Sequence, residues 1–391
     1  MVKRKGVESS IALADAAAMC NVDAISAYPI TPQTHIVEHL SEWVNNGELD
    51  AEFIPVESEH SAMSAALGTS AMGARTFTAT ASQGLALMHE ILFIAPAMRL
   101  PVVMAVANRA LSGPISIWND HGDIMCERDI GWIQIFAENG QECFDLTPAC
   151  FKIAEDKRVI LPTILNFDGF IVSHMIEPIE YWEQETINNF LPDFEPQIKL
   201  DIRNPSTMGA VGVPEIYYEA RIAQNEALLN SKSVIKEVFE EVTKITGRPY
   251  NLVESYNMEK AEVALFMMGS LTETAMTAVK NLKKRGIEVG IVRPRLWRPY
   301  PTEEIIEAIG NIKALGIVDR AMGFGAQSHP VASEVKSTLY SSDKRPVVCE
   351  YVIGLGGRDV RIEDIEAMFL ELIEAAKSGK SQPVKYIGVR E

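Results

Sequence analysis

Basic charge is what this 391-residue chain most lacks: 36 Lys and Arg stand against 53 Asp and Glu, a formal charge of −17. Neutralising nucleic-acid phosphates needs the opposite balance, and no basic stripe offsets it, so no nucleic-acid partner is expected. Cysteine is scarce as well. The five cysteines, at 20, 126, 143, 150 and 349, are scattered, without the close pairs that zinc sites and cubane clusters use. An iron–sulfur cluster held by this chain alone is therefore not expected. The odd cysteine count and the lack of a secretory leader point to a reducing cytoplasm. Apolar runs of about 18 uninterrupted residues are missing, so no membrane span is expected. A full dinucleotide fingerprint is missing too: Gly323-Phe324-Gly325 and Gly354-Leu355-Gly356-Gly357 read as turn glycines, which excludes a nicotinamide site.

What is present is a globular composition, 47% hydrophobic and 23% charged, on a chain long enough for two domains. Helix-like stretches at 7–20, 61–72 and 85–94 alternate with short strand-like runs at 22–27, 52–56, 75–80 and 101–107. Apolar strands alternating with helices predict an α/β fold with a parallel sheet covered on both faces. Residues 177–214 carry five prolines, at 178, 192, 196, 205 and 214, and read as an excursion over the surface. One long helix over 215–245 follows. A second α/β unit begins near Ala261, with strands at 288–293, 314–319 and 346–352. The expected division is a first domain over 1–235, a connecting helix and linker over 236–260, and a second domain over 261–391.

Three segments carry candidate chemistry. Ile30-Thr31-Pro32-Gln33-Thr34 follows a strand, and a threonine before proline suggests a helix N-terminus with Thr31 as its cap, able to face an anion. Glu57-Ser58-Glu59-His60 stands before a helix of small residues, where close packing would desolvate an acid and favour its protonated form. Asn108-Arg109 ends a strand of the parallel sheet, where ligands of such folds bind, and a guanidinium there suits a carboxylate. Asn119-Asp120-His121-Gly122-Asp123 is polar, but no second cluster at ligand spacing completes it, and no metal ligand is assigned to this chain.

The ordered series of segments is more specific than any one of them. Tyr28-Pro29-Ile30-Thr31-Pro32, Glu57-Ser58-Glu59-His60, Ala81-Ser82-Gln83-Gly84-Leu85, Asn108-Arg109-Ala110-Leu111-Ser112 and Asn119-Asp120-His121 resemble the alpha subunit of the pyruvate:ferredoxin (2-oxoacid:acceptor) oxidoreductases. Arg128-Asp129-Ile130-Gly131-Trp132, Asn166-Phe167-Asp168-Gly169-Phe170 and Pro294-Arg295-Leu296-Trp297-Arg298-Pro299 extend the resemblance over almost the whole chain. It implies a pyrimidine-type thiamine-diphosphate domain followed by a transketolase C-terminal-like domain. It implies that Glu59 contacts the aminopyrimidine ring and promotes loss of the thiazolium C2 proton. Pro29 and Ile30 join Glu59 at the cofactor, and Thr31 and Arg109 hold the 2-oxoacid.

The reaction implied is oxidative decarboxylation of a 2-oxoacid, pyruvate by default, with coenzyme A. The products are an acyl-CoA, carbon dioxide and a reduced iron–sulfur acceptor. The Gly-Asp-Gly run that holds magnesium and diphosphate in these enzymes does not occur here. The cofactor is therefore expected to be shared with a beta subunit. Mg2+ and the [4Fe-4S] clusters are expected on partner chains, with gamma and ferredoxin-like delta subunits completing the complex and ferredoxin or another carrier taking the electrons. Gly113, Ser116 and Gly122 stand where pyruvate enzymes of the family often carry alanine, asparagine and serine. That leaves room for phenylglyoxylate or a branched 2-oxoacid. A non-catalytic assembly subunit is the alternative of another class.

Overall fold

The computed structural model describes residues 3–390. Its chain order opens with β1 (Lys3–Glu8), α1 (Ser9–Met19), β2 (Ala24–Ala27), α2 (Thr34–Asn45), β3 (Glu52–Pro55), α3 (Glu59–Ala71), β4 (Thr76–Thr80), α4 (Ser82–Leu92), α5 (Ile94–Ala97) and β5 (Val103–Asn108). It continues through α6 (Gly122–Cys126), β6 (Ile133–Phe136), α7 (Gly140–Glu155), β7 (Thr163–Asp168), β8 (Ile176–Tyr181), α8 (Gln184–Phe190) and the long α9 (Pro214–Thr246). Then come β9 (Val253–Tyr256), β10 (Val263–Phe266), α10 (Leu271–Lys284), β11 (Gly290–Pro294), β12 (Leu296–Arg298) and α11 (Thr302–Ile309). The chain closes with β13 (Ala314–Asp319), α12 (Pro330–Tyr340), β14 (Val347–Val352), α13 (Ile362–Ser378) and β15 (Lys385–Tyr386).

A seven-stranded sheet runs in the order β12-β6-β7-β5-β4-β2-β3 and a six-stranded one in the order β15-β14-β13-β10-β11-β9. Both are parallel except at one edge, where β12 pairs antiparallel with β6 and β9 with β11. The central strands β4, β5 and β7 are buried along their whole length, so they read as continuous apolar or small-residue runs, as strands covered on both faces do. One core gathers α1, α2, α7 and α9 on one face of the larger sheet. A second lies between its other face, with α3 and α4, and the smaller sheet, with Phe266, Val292 and Ile317 among its members. The third fills the far side of the smaller sheet under α10 and α13. The two α/β units thus share a continuous apolar interior, and β12 carries the chain of the second back onto the sheet of the first.

Three local expectations change. Thr31 is not a helix cap: residues 30–33 form a turn closed by Gln33 N donating to Ile30 O at 2.9 Å, and α2 starts only at Thr34. The Gln33 side chain anchors that turn to Tyr28 O at 2.9 Å, so the chain changes direction before it can wind. The first helix begins at Ser9 rather than residue 7, because Lys3–Glu8 pairs with Ile176–Tyr181 in a two-stranded antiparallel ladder. That ladder also draws the start of the surface excursion inward. Pro178 is tolerated because it lies in a strand with only one neighbour, and Tyr181, Ile187 and Phe190 are buried in the first core.

Candidate functional site

The turns that follow β2, β3, β4, β5 and β7 all open at the carboxyl edge of the larger sheet, where open α/β folds bind ligands. β4 lies between β2 and β5, so the segments carrying Thr31 and Arg109 leave the sheet two strands apart. Pro29 and Thr31 are exposed in the turn after β2, with Ile30 half-buried. Arg109 follows β5 directly and is buried. Its Nη1 donates to Thr31 O at 2.9 Å and its Nε to Ser116 O at 2.7 Å, which joins the two predicted substrate residues and leaves Nη2 without a protein acceptor among the described residues. Burial lowers the Arg109 pKa from its ordinary value, with the Asp123 carboxylate opposing. A guanidinium nevertheless stays charged.

Glu59 is the first residue of α3, and Ser58 caps that helix by accepting from Ser61 N at 3.2 Å. The two acids of the segment differ. Glu57 accepts from Ser61 Oγ at 2.6 Å at the surface, whereas Glu59 is 7% exposed and receives no hydrogen bond among the described residues. Beside it the Thr80 hydroxyl is buried without a partner. Gly84, in the first turn of α4, completes the cradle: a Cβ there would lie 2.7 Å from Glu59 Oε1 and 2.5 Å from Thr80 Oγ1. A buried carboxylate, an orphaned hydroxyl and a missing side chain leave donors and acceptors to be met from outside the chain, which fits an aminopyrimidine edge.

Asp123 holds these turns in register, a role its sequence position did not disclose. Its Oδ2 accepts from Ser82 N and Arg109 N, both at 3.0 Å, and its Oδ1 from Asn108 Nδ2 at 3.1 Å and Ile124 N at 2.7 Å. Burial pushes its pKa up to about 7, against the pull of the Arg109 and Ser82 amides. The neighbouring His121 belongs to a second buried network. His121 Nε2 donates to Asp168 Oδ1 at 2.7 Å, and Arg320 Nη1 and Ser270 N donate to Asp168 Oδ2 at 2.7 and 2.9 Å, joined by Ser270 Oγ. Burial alone would raise Asp168, but Arg320 and His121 outweigh it and hold its carboxyl well below the usual range. Gly269 makes the approach feasible, since a Cβ there would sit 2.9 Å from Asp168 Oδ2. His121 N also donates to Arg320 O at 2.7 Å, and Gly356 N to Asp120 Oδ2 at 3.1 Å. The 119–123 loop therefore clasps the second unit to the rim of the site. Of the three positions with unusually small residues, Ser116 adjoins Arg109 through its carbonyl, Gly113 is exposed, and Gly122 opens α6 and donates to Asp120 Oδ1 at 2.9 Å.

Two α/β units, each on a largely parallel sheet, with the loops of the first opening at the carboxyl edge of its strands, are the architecture of the thiamine-diphosphate-binding α/β class. The chain belongs to the pyruvate flavodoxin/ferredoxin oxidoreductase family: the family's thiamine-diphosphate-binding domain matches residues 15–240 and its core domain II matches 261–365. Among its relatives, the pyruvate synthase subunit PorA of Methanocaldococcus jannaschii is 46% identical over 100% of this chain and 99% of its own length. The ketoisovalerate oxidoreductase subunit VorA of Pyrococcus horikoshii is 42% identical over 96% of this chain and 95% of its own. The fold matches that of the 2-oxoglutarate:ferredoxin oxidoreductase from Magnetococcus marinus with a TM-score of 0.68 at 20% identity, over 95% of this chain. This chain spans 65% of the length of that one. No helix among the described residues is long and apolar enough to cross a membrane.

Proposed function

We propose that the chain is the alpha-type subunit of a thiamine-diphosphate-dependent 2-oxoacid:acceptor oxidoreductase and supplies the pyrimidine and substrate side of a composite active site. The observation that carries this reading is the convergence of Arg109, bonded to the Thr31 carbonyl, with the unpaired Glu59 carboxylate at one sheet edge. Thiamine diphosphate, when bound, supplies the carbon nucleophile that decarboxylation of a 2-oxoacid requires. Glu59 then exchanges a proton at its carboxylate with the aminopyrimidine edge, while Pro29 and Ile30 bound the cofactor ring. Arg109 offers Nη2 to the substrate carboxylate, and Thr31 flanks the reacting carbonyl. Pyruvate is the default substrate, with acetyl-CoA, carbon dioxide and a reduced iron–sulfur acceptor as products.

The first domain ends near residue 235 and the second begins near 261 in this reading. Magnesium, diphosphate ligands and iron–sulfur clusters come from beta, gamma and delta chains, because the Gly-Asp-Gly run and paired cysteines are missing here. A branched 2-oxoacid is the second reading, favoured by the VorA relative, which approaches the PorA relative in identity.

The test is steady-state kinetics of the assembled complex with a viologen dye and coenzyme A, on pyruvate, 2-oxoisovalerate and phenylglyoxylate. Removing one partner of a desolvated charge pair costs about 2–5 kcal/mol, and each ~1.4 kcal/mol is about tenfold. Arg109→Ala should therefore lower kcat/KM by about 30-fold to several thousand-fold, and Arg109→Lys should recover only part, since it keeps the charge and loses the fork. Unchanged kinetics in an intact Arg109→Ala complex would remove this residue from the site.

A further inference from the structure

Outside the site, two histidines and a glutamate from three distant segments converge. Glu8 ends β1, His35 lies in the first turn of α2, and His174 follows β7 in the loop that leads into β8. One donor atom of each lies within 4.8 Å of the others, and all three side chains are half-buried. Donors around a tetrahedral ion at ~2.0–2.1 Å are roughly 3.4 Å apart, so the set stands within small side-chain adjustments of that geometry. We propose that Glu8, His35 and His174 bind a divalent transition-metal ion of the zinc class, with an open position left for water.

Three features beyond the donor set support this. First, the ligands stand on a fixed frame. The β1–β8 ladder pairs Glu8 with Ile176, and Ser9 N and Ser10 N donate to Met175 O and Ser173 O, both at 3.0 Å. The carboxylate and the His174 loop are thereby held together by backbone, as a preorganised site requires. Second, His174 has the outer partner that ligating imidazoles need: its Nδ1 lies 2.7 Å from Ser173 Oγ, which also accepts from Phe170 N at 2.8 Å. An Nδ1–H donated to that hydroxyl leaves Nε2 free as the ligand. Third, His35 Nδ1 is 2.6 Å from Glu8 Oε1 and the two imidazole rings lie 4.7 Å apart, so an ion would replace a contact already made between its own ligands.

Two neutral imidazoles and one carboxylate suit zinc, cobalt or nickel and disfavour magnesium, which takes oxygen donors in octahedral array. This ion is therefore separate from the magnesium of the cofactor. Its place has a consequence for the site. His174 packs against Phe170 and Phe170 against Trp118, in tilted contacts with ring centroids 4.6 Å apart in each pair, and that row of rings leads to the 109–118 loop that holds Arg109.

Calorimetric titration of Zn2+ into the metal-stripped full chain tests the proposal, with Mg2+ as competitor. One ion per chain is expected, at micromolar or tighter affinity and insensitive to millimolar Mg2+. His35→Ala and His174→Ala should each weaken it by at least about 100-fold, and Ser173→Ala by ~10- to 100-fold, the usual cost of an outer partner. Glu8→Gln and His174→Asn, near in size to the native residues, serve if an alanine variant does not fold. His60→Ala, a histidine of another helix, should leave the titration unchanged. No saturable Zn2+ binding, or binding that survives both His35 and His174 substitutions, would overturn the site.

Discussion

Glu59 and Gly84 show how much a single position can decide. The helix that contains Gly84 would be stabilised by alanine, by about 1 kcal/mol on propensity, yet the added Cβ would meet Glu59 and Thr80 at under 3 Å. The overpacking, at about 1–3 kcal/mol, matches or exceeds the propensity gain, so Gly84→Ala should leave the melting temperature of the chain unchanged or lower while weakening thiamine-diphosphate binding by the assembled complex at least tenfold. Thermal melting alongside cofactor titration measures both, and unaltered affinity would mean the gap is not the pyrimidine cradle. Glu59 could be singled out in the sequence by its place before a small-residue helix, and Arg109 by its place at a strand end. Thr80 could not, and Asp123 and Asp168 stood in recognisable segments without their roles being legible. Their significance comes from atoms that meet across long separations, such as Asp168 with Arg320, 152 residues apart, and nothing in local spacing records such a meeting.

Among the elements, the parallel strands were the most legible, because burial on both faces demands unbroken apolar runs. The polar ladder of β1 and β8 was not, since Lys3–Glu8 opens on three consecutive basic residues, shows no strand-like alternation and is stabilised by its partner rather than its own composition. The short β12 was legible only as part of a motif. It is the element that stitches the second unit to the first sheet, with Trp297 fully buried between them and edge-on to Tyr300 at 5.4 Å. Truncating such a side chain leaves a cavity that costs roughly 3–5 kcal/mol. Trp297→Ala should accordingly lower the unfolding free energy obtained from urea titration by that amount. A loss below about 1 kcal/mol would show that β12 is peripheral to the stability of the whole.

At the scale of the molecule, charge is buried where the two units meet. Glu142 accepts from Arg293 at 3.0 Å and from Arg295 at 2.8 Å, and Asp168 accepts from Arg320. Burial would raise Glu142, but the two guanidiniums outweigh it and hold its carboxyl well below the usual range, as Arg320 and His121 do for Asp168. A carboxyl depressed on folding contributes stability that is complete above its unfolded pKa, near ~4, and is lost as pH falls through the folded value. The melting temperature should therefore drop steeply below about pH 4. In Asp168→Asn/Glu142→Gln the drop should be shallower, from a lower value at neutral pH. Parallel acid limbs for the two proteins would place the acid sensitivity elsewhere.

The same scale decides the central claim, that this chain holds one side of a site and partners hold the other. Calorimetric titration of thiamine diphosphate with Mg2+ into the isolated chain, and into the chain assembled with its partner subunits, tests it most directly. No binding in the micromolar range to the chain alone, with saturable binding to the assembly, is the predicted result. Tight, magnesium-dependent binding to the isolated chain would contradict it.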